Sequence, residues 1–384
     1  MERDLKAPRI SVIMPVHNGM PYLPQAVESI LGQTLRDFEF VIVDDASTDD
    51  TAAYLAGLHD DRVRVIHNQE NLGVASSLNK AIGAARGEYL ARQDADDVSL
   101  PRRLEAQLSY LDRHPEIAVL GTPATYIDGS GNAVGIWTVP SAGIDIKWRL
   151  LFDNCHCIIH TSAMIRASAL RACDGYPQDA GCSLAEDYAL WCRIGRGHGL
   201  ANLEERLVNF RSHGASVSDR RQDEQREQVR RIALANVGWT MDGRSVPGQD
   251  YECVRQLLLS SASFKPEFSA TTLRSAVRFL RQLQQAFYAR HGFGTQTVLM
   301  HRRSQWTWGK HLVALSVRGR FDLLSRVSSA LLGAHLLSGS LAASLQLCLG
   351  RTSEAAKSRE PNRGPLGGGY FHVQAGRVAV NRED

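Results

Sequence analysis

The 384-residue chain lacks several features that would assign it to a class at once. Met1–Arg9 is charged and has no apolar core, so it does not read as a secretory leader. No Gly-x-Gly-x-x-Gly follows the first apolar run and no Gly-x-x-x-x-Gly-Lys-Ser/Thr occurs there, so neither a dinucleotide fingerprint nor a P-loop is signalled. There are only seven cysteines, at 155, 157, 173, 182, 192, 253 and 348, too few and too scattered for a disulfide framework. Cys155-His156-Cys157 holds a single residue between its thiols, tighter than zinc sites use, and no second pair follows nearby. The expectation is a reduced, cytoplasmic protein with no structural zinc.

What is present is ordinary globular material: 43% hydrophobic, 22% charged and 7% aromatic, with 44 basic against 41 acidic residues. At about 150 residues per domain the length suggests two or three domains. The near-neutral total hides an asymmetry. Residues 1–218 carry 20 basic and 28 acidic side chains, whereas 219–384 carry 24 and 13, so the second part is net +11.

From Ile10 onward, short apolar runs alternate with helical periods, which predicts βα units around a mainly parallel, doubly wound sheet, an α/β fold. Strands are expected at Ile10–Met14, Phe38–Val43, Arg62–Ile66, Tyr89–Arg92 and Ala118–Gly121. Helices are expected at Tyr22–Gly32, Asp49–Leu58, Gly73–Ala85 and Pro101–Arg113, the second capped by Ser47-Thr48-Asp49. Ala124–Val139, centred on Asp128-Gly129-Ser130-Gly131, reads as a hairpin, and a helix follows near Ile144–Phe152. Strand character disappears from Gln222 to Arg290, which is expected to be helical. The divisions read from this pattern are a 1–9 extension, a 10–218 sheet domain, a 219–351 helical region and a flexible, glycine-rich 352–384 tail. Val327–Gly350 contains no charged residue, but seven Ser, His and Gln side chains dilute it. It reads either as a membrane-embedded or interfacial helix, with Trp306, Trp308 and Lys310 as an anchor, or as a buried soluble helix.

Open parallel sheets bind ligands at the carboxyl ends of their strands. Four such ends carry Pro15-Val16-His17-Asn18-Gly19, Asp44-Asp45-Ala46-Ser47-Thr48-Asp49, Asn68-Gln69-Glu70-Asn71-Leu72-Gly73 and Gln93-Asp94-Ala95-Asp96-Asp97. Asp94, Asp96 and Asp97 offer hard oxygen ligands for Mg²⁺ or Mn²⁺, and a cation bridging a diphosphate would neutralise them. The Asp44-Asp45 pair is suited to accept hydrogen bonds from a base and a ribose. For any one pair a solvated, helix-capping turn is an equally good reading; acids at four successive strand ends are not explained that way.

These residues resemble a known family. Pro15-Val16-His17-Asn18, Gln33-Thr34, Val43 to Asp49, Asn71-Leu72-Gly73, Ala85-Arg86-Gly87-Glu88-Tyr89, Asp94-Ala95-Asp96-Asp97, Pro101 to Leu104 and Ala185-Glu186-Asp187-Tyr188-Ala189-Leu190-Trp191 are similar, in order and spacing, to family 2 of the glycosyltransferases. The resemblance runs from about residue 8 to 218 and includes His160-Thr161-Ser162 and Phe210-Arg211-Ser212-His213. His17 and Phe210 stand where tyrosine is usual in that family.

The resemblance implies a GT-A fold and an inverting transferase that uses a nucleotide-diphosphate sugar. It implies that Pro15, His17, Asn18, Asp44 and Asp45 line the base and ribose pocket, with Asn71, Arg86 and Asp94 near the ribose and donor sugar. Asp96 would be the principal metal ligand, supported by Asp94 and Asp97 and completed by His213. Asp187 would be the general base, with Glu186, Trp191 and Arg211 as acceptor or supporting residues. The chemistry is coherent. A departing diphosphate needs charge stabilisation, an acceptor hydroxyl needs a base, and one base with no facing nucleophile predicts single displacement.

The acceptor implied is a glycan or lipid-linked saccharide, as in cell-surface polysaccharide, capsule or lipopolysaccharide synthesis. The basic second part adds peripheral association with anionic membrane at the cytoplasmic face of the inner membrane. A nucleotidyltransferase would share the nucleotide, metal and aspartates but lacks its basic triphosphate loop here. A silent sugar-nucleotide or glycan-binding protein would be expected to have lost the acidic motif or Asp187. No nucleic-acid partner is expected, since the basic residues are interleaved with acids and carry no recognition motif.

Overall fold

Ile10–Val16 (β1) and Phe38–Asp44 (β2) are buried at every position, as strands covered on both faces must be. They pair in parallel, from Ile10 opposite Phe38 to Val16 opposite Asp44. The computed structural model describes residues 7–152, 155–213, 221–259 and 268–292. The remaining strands are β3 (Val63–His67), β4 (Tyr89–Arg92), β5 (Val98–Ser99), β6 (Ile117–Gly121), β7 (Ala124–Ile127), β8 (Ala133–Trp137), β9 (Met164–Arg166), β10 (Gly199–Asn202) and β11 (Val208–Arg211). A seven-stranded sheet runs β10-β6-β9-β4-β1-β2-β3, and a four-stranded sheet runs β5-β11-β7-β8.

The large sheet is parallel except for β9, which lies antiparallel between β4 and β6. Strands β5, β9, β10 and β11 escape the sequence reading because runs of two to four residues carry no measurable alternation. The hairpin reading agrees with the antiparallel β7 and β8.

The helices are α1 (Leu23–Leu31), α2 (Thr51–Ala56), α3 (Val74–Ala84), α4 (Arg103–Arg113), α5 (Gly143–Arg149), α6 (Ala167–Ala172), α7 (Glu186–Gly197), α8 (Gln222–Thr240), α9 (Gly248–Leu259) and α10 (Ala270–His291). Helix α1 buries Leu23, Ala26, Val27 and Ile30, the one-sided spacing of an amphipathic helix, against the β1 and β2 side chains. Helix α2 starts at Thr51 and not at Asp49, because Asp49 turns outward from the helix. Its carboxylate accepts from the Thr51 and Met20 amides and ties the loop to its neighbour.

The described chain divides into two compact units, one of residues 7–246 with 282–292, the other of 247–281. The expected boundary near Ser218, most of the 1–9 extension, Val327–Gly350 with its flanking tryptophans, and the tail all lie outside the described residues. Among the described residues no helix is long and apolar enough to cross a membrane.

A buried polar network fixes the loop after β4. The Arg103 guanidinium donates to the Gln93 side-chain oxygen at 3.0 Å, Ser99 Oγ at 2.8 Å, Gln107 at 3.2 Å and the Arg92 carbonyl at 2.6 Å. Gln93 in turn donates to the Asp94 and Asp97 carbonyls. Burial and the neighbouring Arg92 push the Arg103 pKa down to about 9. Replacing Arg103 by Met leaves buried acceptors without a donor and should cost roughly 3 kcal/mol. A lower urea midpoint at unchanged slope is the expected reading; an unchanged midpoint would show the network to be dispensable.

Candidate active site

At the carboxyl ends of β1 and β2 the two loops are laced together. The Asn18 amide donates to Ser47 Oγ at 2.9 Å, and its side-chain oxygen accepts from the Thr48 and Asp49 amides. His17 Nδ1 lies 2.8 Å from the Asp45 carbonyl oxygen. Asn18 and Ala46 hold φ of 54° and 56°, a left-handed conformation that non-glycine residues adopt at a cost.

Asp44 and Asp45 are buried, and both are engaged by the protein. Asp44 accepts from the Ser47 amide and meets His67 Nδ1 at 3.1 Å. Asp45 accepts from the Asn68 side chain at 2.6 Å and from the Leu72 and Gly73 amides at 2.9 and 2.8 Å. Gly73 sits at φ +84°, where a side chain would be strained, and its amide also donates to Asn71 Oδ1. Asn71-Leu72-Gly73 is therefore a cradle for the Asp45 carboxylate. The open face of this half presents His17 and Asn18, together with His67, which the sequence reading missed.

The loop after β4 carries the acids. Asp94 pairs with Arg92, whose guanidinium is only 1% exposed. Asp96 Oδ2 lies 3.0 Å from His213 Nε2, and burial and Asp94 raise its pKa while His213 opposes the shift. Among the described residues no three His, Cys, Asp or Glu side chains group into a metal cage. A hard divalent cation on a diphosphate needs only one or two protein ligands, however, and the part-exposed carboxylate and imidazole of Asp96 and His213 fit that role. Asp97 does not join them. It is buried, accepts from the Arg211 amide at 2.7 Å, and its carboxyl is pushed well above the usual range by burial and by Asp96 and Asp94.

The third part is the start of α7. Glu186 is 8% exposed, Asp187 is more open, and Asp187 Oδ1 accepts from the Tyr188 amide at 2.6 Å. Burial raises both carboxyls, Glu186 to about 8 with help from Asp187, and Asp187 to about 6 against the pull of the Tyr188 amide. Arg92 and Asp94 act on both, so the acidic loop and α7 face the same space. His160 Nε2 meets the Tyr176 hydroxyl at 2.8 Å and is kept neutral by burial and by Arg92.

Arg86, like Asp97, needs correction as a site residue, whereas Trp191 and Arg211 serve as supporting residues. Arg86 is not near a donor site: its guanidinium binds Glu39, which also accepts from Ser11, at the amino ends of β1 and β2. Five residues of strand, about 17 Å, separate Glu39 from Asp44. Trp191 is fully buried on α7, edge-on to His160, and is packing and not an acceptor contact. Arg211 does not reach into the cleft. It lies over the Tyr22 ring at 4.6 Å and donates to Gln25 Oε1 at 2.6 Å, the Asp96 carbonyl at 2.8 Å and the Asp128 carbonyl at 3.0 Å. Pro15 contributes backbone within buried β1.

A mainly parallel sheet with loops gathered at the carboxyl ends of its strands, and an acidic loop facing the start of α7, is an α/β fold of the GT-A type. Residues 11–173 match the family model described as glycosyl transferase family 2. The putative glycosyltransferase EpsE of Bacillus subtilis is 39% identical over 210 residues, which is 53% of this chain and 73% of that protein. The O-antigen biosynthesis glycosyltransferase WbnJ of Escherichia coli is 34% identical over 216 residues, 54% of this chain and 81% of that protein. The crystal structure of S. aureus TarS 1-349 in complex with UDP-GlcNAc has the same fold at 17% identity, with a TM-score of 0.50 over 86% of this chain and 92% of that one. The chain belongs to glycosyltransferase family 2.

A carboxyl whose folded pKa lies above its unfolded value holds its proton more tightly when folded, so its contribution to stability declines as pH rises from about 4.5 to about 8. Glu186→Gln should flatten that decline. Urea unfolding at about pH 5 and about pH 9 measures it; equal losses in variant and wild type would show that Glu186 is not a buried, neutral acid.

Proposed function

We propose that the chain transfers a sugar from a nucleotide-diphosphate sugar to a hydroxyl of a glycan or lipid-linked saccharide, by single displacement with inversion, in the synthesis of a cell-surface polysaccharide. The observation that carries this reading is the convergence of the Asp94 loop and Glu186-Asp187 on one buried guanidinium, Arg92. The O-antigen role in the name of WbnJ and the UDP-GlcNAc held by TarS support the choice of pathway and donor class.

His17, Asn18, Asp44 and Asp45, with Pro15 and Asn71 behind them, form the nucleotide side. Asp96 and His213 would hold Mn²⁺ or Mg²⁺, with Asp94 beside them, and the cation would supply positive charge to the departing diphosphate. Asp187, with a pKa of about 6, is ionised at neutral pH yet basic enough to take the acceptor hydroxyl proton. Glu186 stays protonated until about pH 8, so it is no nucleophile and donates a hydrogen bond that orients the acceptor. That difference between adjacent carboxyls favours one displacement over two.

We take residues 10–218 as the catalytic domain and 219–351 as a helical region. Its basic charge favours peripheral binding to anionic membrane at the cytoplasmic face. Flotation of the full chain with anionic but not neutral vesicles is expected; no binding to either removes the membrane part and leaves the chemistry.

A panel of nucleotide sugars should raise the melting temperature with one donor, more so with Mn²⁺, because a ligand of the folded form stabilises it by mass action. Asp96→Ala should abolish the Mn²⁺-dependent increment. Asp187→Asn should keep donor affinity and lose about 10²–10⁴-fold in turnover, and wild-type turnover should fall on the acid side of about pH 6. Turnover in Asp187→Asn equal to wild type removes Asp187 as base, and release of pyrophosphate in place of nucleoside diphosphate refutes glycosyl transfer.

A further inference from the structure

The smaller sheet carries an aromatic cluster that the reaction above does not use. Tyr126 on β7 and Trp137 on β8 stack with ring centroids 5.3 Å apart and planes 5° from parallel. Phe210 on β11 meets both rings edge-on, at 5.6 and 5.2 Å, and His156 meets Trp137 edge-on at 5.2 Å. Strand register puts the rings on one face, with Phe210 beside Tyr126 and Trp137 paired to Ala124. Trp137 and Phe210 pack against a small buried cluster of Ala124, Ile159 and Val208.

Two features set this cluster apart from a simple hydrophobic plug. Its three large rings are only partly buried. The Trp137 indole N–H has no hydrogen-bond partner among the described residues and is not buried, whereas burial pushes the Tyr126 phenol up to about 12. Aromatic rings with one open polar tip match a pyranose, which offers a C–H face for stacking and hydroxyls at its rim.

The position is set by three consecutive residues. Ile159 belongs to that buried cluster. His160 contacts Tyr176 and Trp191 on the α7 side. Thr161 Oγ1 accepts from the Asp94 amide at 3.0 Å. Residues 159–161, with successive Cα atoms about 3.8 Å apart, thus join the platform, the α7 side and the acidic loop through one short segment.

We infer that Trp137, with Tyr126 and Phe210, is the acceptor subsite, stacking a pyranose ring of the acceptor saccharide near the hydroxyl that Asp187 deprotonates. The inference rests on the glycosyl-transfer reading and names its acceptor contact. A pyranose ring is about the width of one such stack, so this subsite selects the acceptor and leaves the donor site untouched.

Saturation-transfer NMR on the full chain tests it, with the aromatic protons irradiated and methyl glycosides of glucose, galactose, mannose and N-acetylglucosamine as probes. At least one glycoside should be saturated on one ring face, the signal should fall at least fivefold in Trp137→Ala, and Trp137→Phe should retain most of it. The melting-temperature rise with UDP or GDP and Mn²⁺ should be the same in all three proteins. Equal saturation in wild type and Trp137→Ala, equal saturation of acyclic sorbitol, or no glycoside signal from protein that binds nucleotide overturns the subsite while the donor reading stands. Absence of any nucleotide effect, with Trp137-dependent glycoside binding intact, sinks the donor reading and leaves the saccharide platform in place. If Trp137→Ala does not fold, the fluorine resonance of 5-fluorotryptophan at position 137 in the otherwise unsubstituted chain replaces it. A saturable shift with a glycoside and none with sorbitol supports the subsite, and no shift overturns it.

Discussion

The site depends on the buried guanidinium of Arg92. Arg92, 1% exposed at the end of a central strand, cannot stay ionised inside a protein without negative partners. Asp94 pairs with it directly, and Glu186 and Asp187 lie within its field. Burial, aided by the same charge, holds the pKa of His160 and of Arg103 behind it down. The acidic loop and the first turn of α7, distant in sequence, are thereby brought around one positive centre, which also moderates the repulsion between them. Without Arg92 these carboxyls would face one another uncompensated.

Much of the fold was legible because the central strands are long, continuously apolar and followed by amphipathic helices, as in β1 with α1. The four strands that were not legible are two to four residues long and owe their conformation to neighbours; β9, for instance, is a strand because it fills the gap between β4 and β6. In the site, residue type and spacing reported which loops matter more reliably than what each side chain does. Asp96 and His213 do meet. Asp45 and Asn71, read as ligand contacts, both accept from the Leu72-Gly73 turn after β3. Arg86 was misjudged because a motif gives order along the chain and not which end of a strand a side chain occupies. His67 and Tyr22 carried no signal, since a lone residue of common type becomes meaningful only beside its partner.

Arg211 shows how a side chain can serve a site without touching it. Its amide holds Asp97 and its guanidinium holds the Asp96 carbonyl, the Asp128 carbonyl in the hairpin turn and Gln25 of α1, with the Tyr22 ring beneath. One planar group with several donors thus ties the acidic loop, the hairpin and a helix, a task that the single point charge of lysine cannot perform. Phe210, the neighbour of Arg211 on the same strand, belongs to the aromatic cluster with Tyr126 and Trp137, so that brace also fixes the strand from which this ring projects.

The lacing of the loops after β1 and β2 has a kinetic consequence. Asn18 and Ser47 tie the two loops with a protein hydrogen bond, and two residues already bear their left-handed backbone before any ligand arrives. A ligand meeting such a surface has no loop to order, so its entry is governed by encounter and by stripping of water, and little conformational entropy is spent on capture. Changes in donor preference can then arise from side chains alone, on a backbone that does not have to be relearned.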